Sequence, residues 1–449
     1  MAPMLVRTFR SCCTIDVMTR TQFLAALSMA PFARAAREGV NGPRLRRRLE
    51  ELSLHGRPSG GTFTDGVSRV AYSDADVAGR ALVMSWMRDA GLNPRIDAAG
   101  NIFGNRAGTD PKLEPVLFGS HIDSVPSGGN FDGDLGVLSA IEVIERLNET
   151  RVQTRRPLEV AVWCNEEGVA FNNGLYGSRA AAGLLTDGEL DHVWNGVVKR
   201  DAVRKVSGNP DRIETARRPA GSFHAYLELH IEQGGTLDRE GIPVGVVEGI
   251  VAIDRYTADI RGFANHAGTT PMPDRQDAML AAAYLTVAVN QIVRGEPGRQ
   301  VGTVGHIEVS PNAPNVVPGA ARLSIELRDL SSSKIAKLGA AIEERARAIA
   351  TETRTAIELR REAHHESAAA DPRLQAAIEE VSARLNLKSR RLPSGAGHDA
   401  QSMAHLGPMA MIFVPSVGGI SHSPREFTRW EDCARGAEVL FETVRVVAG

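Results

Sequence analysis

Short, uniformly apolar runs, each followed at once by residues that can bind a cation or move a proton, constrain this chain more than any other feature. Glu114–Ser120 (EPVLFGS) and Leu158–Cys164 (LEVAVWC) are two such runs, and Gly136–Leu147 (GVLSAIEVIERL) between them has helical spacing. Runs this short and this apolar predict strands buried on both faces. Strands alternating with helices predict an α/β sheet with helices on each side. Residues 43–53 (PRLRRRLEELS) read as an amphipathic helix with Leu45, Leu49 and Leu52 on one face, and Ser73-Asp-Ala-Asp76 as the start of a helix running to about Ala90.

The pattern changes near Gly241. Residues 243–263 read as two strands around a turn, 274–294 as one long Ala-rich helix, 301–329 as further strands and 334–353 as a second long helix, with strand-like groups near Ile357 and Arg361. This order predicts a small α+β domain of about 115 residues inserted into the main sheet. A helix from 372, an apolar strand at Met409–Val414 and a final helix at 430–447 then complete the first domain. The expected division is an N-terminal extension over 1–37, a main domain in two parts over 38–243 and 361–449, and the insert over 244–360.

A length of 449 residues fits two domains better than one. Net charge is −2 and aromatic residues are 5%, so nothing favours nucleic acid or an anionic membrane as a partner. The four cysteines, Cys12, Cys13, Cys164 and Cys433, are too scattered for a disulfide scaffold or a CxxC site. Any metal must therefore be held by His, Asp and Glu. No apolar run approaches the roughly 20 residues that span a bilayer. From Met18, however, a basic start, a short apolar stretch (Phe23 to Phe32) and Ala33-Arg34-Ala35-Ala36 follow the order of a secretory signal. The expectation is a cytoplasmic protein, with periplasmic export as the alternative.

Four segments carry chemistry. In the first, a strand ends at His121 within GSHIDSVP, and a glycine-rich loop, GGNFDGDLG, delivers Asp132 just before a helix. Asp123 is placed to orient the His121 ring. The second is Asn165-Glu166-Glu167-Gly168, where adjacent carboxylates repel unless a cation or proton separates their roles. One can bind metal while its neighbour takes a proton from water. The third is LELHIEQG, with His230 and Gln233, and the fourth is GISHSP, with His422. Three His, one Asp and one Glu make a nitrogen and oxygen ligand set suited to Zn²⁺ or a similar divalent ion. Five ligands divide naturally into two terminal groups per metal and one bridging carboxylate.

HIDSVPSGGNFDGDLGVL, NEEG, ELHIEQG, NHAGTTPM, NVVPG and SGAGHDA stand here in one order. Together they resemble the dinuclear-metal amidohydrolases that include N-carbamoyl-L-amino acid hydrolases, allantoate amidohydrolases and one class of β-ureidopropionases, relatives of the zinc aminopeptidases. The likeness runs from about residue 42 to 445. It implies a mixed-sheet, zinc-aminopeptidase-like catalytic domain with an inserted α+β lid that mediates homodimerisation. It also implies that His121, Asp132 and His230 hold one metal, and that Asp132, Glu167 and His422 hold the other. Glu166 would be the general base and His266, in the insert, the stabiliser of the oxyanion. Gln233, Asn315, Arg328, Arg275 and Gly397 match substrate-binding positions, Arg328 as the fork for a carboxylate, with a salt-bridged first-turn residue as the alternative reading of Arg275.

The expected reaction is hydrolysis of the carbamoyl C–N bond of an N-carbamoyl-L-amino acid, a small ureido molecule with a carboxylate. Allantoate or a β-ureido acid is the alternative substrate, and a catalytically inactive dimerising binding protein the alternative outside the class. The two ions are expected to be Zn²⁺, with Mn²⁺, Co²⁺ or Ni²⁺ compatible with the same donors. His398 reads as structural, His364-His365 as surface, and the basic clusters at 45–48 and 389–391 as solvated helix and loop faces. Two departures from the family pattern, Val169-Ala170 after Glu-Glu-Gly and Gly235-Thr236 after IEQG, put the substrate in doubt and leave the metal ligands intact.

Overall fold

The main sheet is built around four parallel strands, in the order Leu158–Trp163, Val116–His121, Ala225–Ile231, Met409–Val414. Every residue of these four strands is buried. Successive side chains in a strand point to opposite faces, so both faces of the sheet are covered. That is the physical reason the four runs are so uniformly apolar. The computed structural model describes residues 39–449. The expected extension over 1–37, with its signal-like stretch near Met18, lies outside the described residues.

Antiparallel strands extend the sheet on both sides. Ile102–Arg106 pairs with Leu158–Trp163, and Val244–Ile250 with Met409–Val414. Ser389–Ser394 lies parallel to Val244–Ile250, so the basic cluster at 389–391 is a strand and not a loop face. There Leu392 is buried while Arg390 and Arg391 reach outward to Glu240 and Glu379. The helices Gly42–Leu52, Asp134–Glu149, Pro372–Arg384 and Trp430–Ala448 pack on one another and on the sheet. The first of these starts at Asn41, whose side chain accepts from Arg44 N, and buries Leu45, Leu49 and Leu52 as its spacing predicts. The second expected start also holds, since Ser73 accepts from Asp76 N to begin the helix Asp74–Asp89.

Residues 243–263 are not a hairpin. Val244–Ile250 belongs to the main sheet and Ala252–Arg261 to a second one, with Val251 alone between them. The second sheet is wholly antiparallel, in the order Val301–Ser310, Ala320–Asp329, Ala252–Arg261, Ala356–His365. Two helices, Ala278–Gly295 and Ser332–Thr353, share its core with Ala258, Ile260, Leu323, Ile325 and Leu327. In Ala320–Asp329 the burial alternates, and Arg322, Ser324, Glu326 and Arg328 lie on the face away from that core. Among the described residues, only Ala278–Gly295 is long and apolar enough by length and composition to cross a membrane. One side of it is core, through Ala281, Leu285, Val289 and Val293.

Candidate metal centre and active site

The carboxyl ends of the four parallel strands share one edge of the sheet, where open α/β sheets place their ligands. His121 is the last residue of its strand, and Glu166 and Glu167 follow Trp163 by one short turn. His230 is the penultimate residue of the third strand, and His422 comes from the loop after the fourth. Asp132 reaches the same point from the glycine-rich loop. Gly133 has φ +68°, and a Cβ there would overlap the His121 ring, so only glycine lets this loop pass so close to the histidine.

Asp132 is the centre of the cluster. Its Oδ1 lies 3.1 Å from His230 Nε2 and 3.6 Å from His121 Nε2. His422 Nε2 lies 3.4 Å from Asp132 Oδ2 and 3.4 Å from Glu167 Oε2. His121, Asp132 and His230 thus form one group, and Asp132, Glu167 and His422 a second, with the ligand atoms of each group within 4.8 Å of one another. Glu166 Oε2 stands 3.7 Å from His121 Nε2, beside the first group.

The second nitrogen of each buried ring tests whether these residues fit a cation. His121 Nδ1 is 3.0 Å from the Asp123 carbonyl, and His230 Nδ1 is 2.9 Å from the Ile231 carbonyl. A carbonyl only accepts, so each Nδ1 carries a hydrogen and each neutral ring presents the Nε2 lone pair to the cluster. Both Nε2 atoms, and Glu167 Oε1, are buried without a hydrogen-bond partner. Lone pairs turned toward a carboxylate repel it unless positive charge lies between. The titrating groups register the same imbalance. Burial alone would keep His230 neutral, yet Asp132 raises it to about 9, while burial lowers His121 to about 4. Burial, and then the surrounding carboxylates, push Glu166 and Glu167 well above the usual range. The donor set fits divalent cations.

Asp123 acts through two different groups. Its backbone carbonyl, not its carboxylate, orients His121. The buried carboxylate instead accepts the backbone N–H groups of Glu166 (3.1 Å) and Glu167 (3.2 Å) and so holds the two-glutamate turn against the first strand. Asn165, Gln233 and His422, all at this edge, have φ of +53°, +58° and +52°. Left-handed backbone at non-glycine residues costs about 1–3 kcal/mol each and clusters where function over-determines it. Gln233 donates its Nε2 to Asp132 Oδ2 at 2.7 Å.

The insert residues divide into two sets. Arg328 Nε donates to Glu326 at 2.8 Å, and its Nη1 donates to the Gly395 carbonyl of the main domain, so it already borders the Gly395–Gly397 loop of its own chain. His266 and Asn315 are exposed on the insert. His266 Nδ1 accepts the backbone N–H groups of Gly268 (3.0 Å) and Thr269 (3.1 Å). Its neutral ring therefore carries its proton on Nε2. Arg275 donates to the carbonyls of Thr270 and Ala267, which makes it a brace for the His266 loop. His398 is buried, bonded through Nε2 to Ser394 Oγ at 2.8 Å, with its ring 4.4 Å from that of His230. His364 and His365 are exposed, and His364 bridges Asp254 and Glu366.

Sequence reasoning passed over Ser421 and Glu426, which bond to Asp132 and its backbone. The only available signal was their place in the His422 segment, SHSPRE.

This fold and site define a metal-binding hydrolase of the zinc-aminopeptidase type. Residues 117–446 match the model of Peptidase family M20/M25/M40, and the chain belongs to that family. It is 41% identical over 407 residues to an N-carbamoyl-L-amino acid amidohydrolase of Geobacillus stearothermophilus, covering 90% of this chain and 98% of the relative. It is 37% identical to a ureidoglycolate hydrolase of Arabidopsis thaliana, covering 90% and 86%. A solved amidase of the hydantoinase/carbamoylase family from Burkholderia multivorans superposes with a TM-score of 0.85 at 35% identity, covering 91% and 98%.

Proposed function

We propose that this chain is an N-carbamoyl-L-amino acid amidohydrolase, hydrolysing the carbamoyl C–N bond to give the L-amino acid, CO₂ and ammonia. The observation that carries the reading is the double cluster around Asp132, with Glu166 beside its first group. His121, Asp132 and His230 would hold one divalent cation and Asp132, Glu167 and His422 a second, with Zn²⁺ best suited to these donors and Mn²⁺, Co²⁺ or Ni²⁺ compatible. Such ions, when bound, polarise a carbonyl oxygen and make water acidic at neutral pH.

The chain's own groups do the rest. Glu166 takes the proton of the attacking water and returns it to the leaving amine. His266 donates from Nε2 to the developing oxyanion, a bond worth about 3 kcal/mol in comparable sites. Arg328 pairs with the substrate carboxylate through its planar fork. Gln233, Asn315 and Gly397 border the substrate, and Arg275 keeps the His266 loop in shape.

A second copy of the chain, docked through the insert, belongs to the same reading. The helix Ala278–Gly295 exposes Met279, Leu280, Tyr284 and Val287, beside the edge strand Val301–Ser310 with exposed Val301 and Ile307. An apolar helix face next to an unpaired edge suits self-association.

The test is ammonia release by the metal-reconstituted protein presented with N-carbamoyl-L-amino acids, N-carbamoyl-β-alanine, allantoate and ureidoglycolate. The reading expects the highest kcat/KM on an N-carbamoyl-L-amino acid. Preference for a ureide would make the chain a ureide hydrolase on the same site. Binding without turnover of any of them would make it a binding protein.

A further inference from the structure

We propose that Glu426 is a positioning residue that sets the distance between Asp132 and His422, and so the affinity of the second cation group. The proposal rests on the metal-centre reading above and goes beyond its ligand list. Glu426 is almost fully buried, and its carboxylate bonds to backbone N–H groups and a serine hydroxyl instead of a ligand side chain. Its Oε1 accepts two consecutive backbone N–H groups, those of Phe131 and Asp132, each at 3.1 Å. Its Oε2 accepts the hydroxyl of Ser421, the residue before His422, at 2.8 Å. One carboxylate thus ties the loop that carries Asp132 to the loop that carries His422.

Three further observations converge on it. Gly129, two residues before Phe131, has no room for a side chain, because a Cβ there would overlap the Glu426 carboxylate. The glycine-rich loop is shaped to close over this group. The N–H of Glu426 donates to the Ser423 carbonyl at 2.9 Å, which closes the turn just after His422. His422 itself has a left-handed backbone, which persists only where its surroundings enforce it.

The chemistry explains why the position needs a carboxylate. Donors arrive at both oxygens, and an ionised carboxyl accepts at both. Glutamine would accept at one end and present an unwanted donor at the other. Among the described residues, no Lys or Arg pairs with Glu426. A buried carboxylate held only by neutral donors is costly as a structural device, which favours a role tied to the neighbouring centre. Ser421 Oγ also lies 3.1 Å from Asp132 Oδ2, and its single proton can serve only one of the two carboxylates. A cation at Asp132 Oδ2 would leave that proton to Glu426.

The experiment titrates metal-free wild type, Glu426→Gln and Ser421→Ala with Zn²⁺ against a competing chelator, and counts ions bound. The wild type is expected to bind two ions. Glu426→Gln is expected to keep the first within about threefold and to weaken the second by about 10–100-fold, the usual effect of losing a group that orients a ligand. Ser421→Ala, which removes only the hydroxyl link, is expected to shift the second ion in the same direction and serves if Glu426→Gln does not fold. Two ions at wild-type affinity in both variants, or equal weakening of both ions, would overturn the proposal. A wild type that binds no divalent ion would overturn the metal-centre reading itself.

Discussion

Oδ1 of Asp132 stands 3.1 Å from Nε2 of His230, while the hydrogen of that ring is turned away toward the Ile231 carbonyl. Two electron-rich atoms at this distance, inside a buried edge, are stable only with a cation or a proton between them. A bound ion that recognises only the native state adds stability by mass action, about 2.7 kcal/mol at a concentration 100 times its Kd. Chelation is therefore expected to abolish turnover and to lower the melting temperature by several degrees. Both should return on adding Zn²⁺, Mn²⁺ or Co²⁺. Differential scanning fluorimetry with and without chelator checks it, and an unchanged melting temperature would count against a resident ion.

Asp123→Asn separates two roles. The backbone carbonyl that orients His121 remains, whereas the side chain loses one of the two acceptors for the N–H groups of Glu166 and Glu167. Turnover is expected to fall about 10–100-fold, with zinc content within error of wild type. Loss of bound zinc, with turnover restored by excess zinc, would mean that the carboxylate serves the metal ligand His121 after all.

The strands that position the site were legible because burial on both faces makes each a short uniform apolar run. The ligands were legible because each follows such a run or sits in a motif. Ser389–Ser394 was not, since Arg390, Arg391 and Pro393 hide a strand that exists only through its pairing with Val244–Ile250. The break at Val251 was invisible for the opposite reason, because apolar residues run on across it from Ile250 to Ile253 and nothing marks the change of sheet. Asp123 was legible as a partner of His121, but the hold of its carboxylate on the N–H groups of Glu166 and Glu167 was not. Glu426 was missed because a carboxylate that works through backbone N–H groups leaves no residue pattern of its own.

Acid should test a second buried cluster, just beyond the two-glutamate turn. Glu189 binds Arg179 and Lys199, with Lys199 Nζ at 2.8 Å, and these partners override burial and lower its carboxyl to about 2. A carboxyl whose folded value lies below its unfolded one of about 4.5 adds stability above pH 4.5. That contribution is lost as pH falls toward 2. Wild type should therefore lose more stability than Glu189→Gln between pH 5 and pH 3, measured by urea denaturation. Parallel curves would contradict it.

The exposed face of the helix Ala278–Gly295 predicts self-association. Val287 is 55% exposed in the single chain, an unfavourable place for a large aliphatic side chain unless something covers it. Val287→Glu is expected to convert a dimer to a monomer by light scattering, with metal content unchanged. A monomeric wild type would overturn the self-association, and a variant that remains dimeric would place the interface elsewhere.

Glu166 is the group on which the proposed chemistry turns, beside the first ligand group and a member of neither. Glu166→Gln keeps its size and removes its ability to take a proton. The most direct measurement follows ammonia release from an N-carbamoyl-L-amino acid and bound metal in the same preparations of wild type and variant. The account predicts that turnover falls by about 10²–10⁴-fold while two divalent ions per chain are retained. Turnover within tenfold of wild type, with metal fully bound, would contradict it.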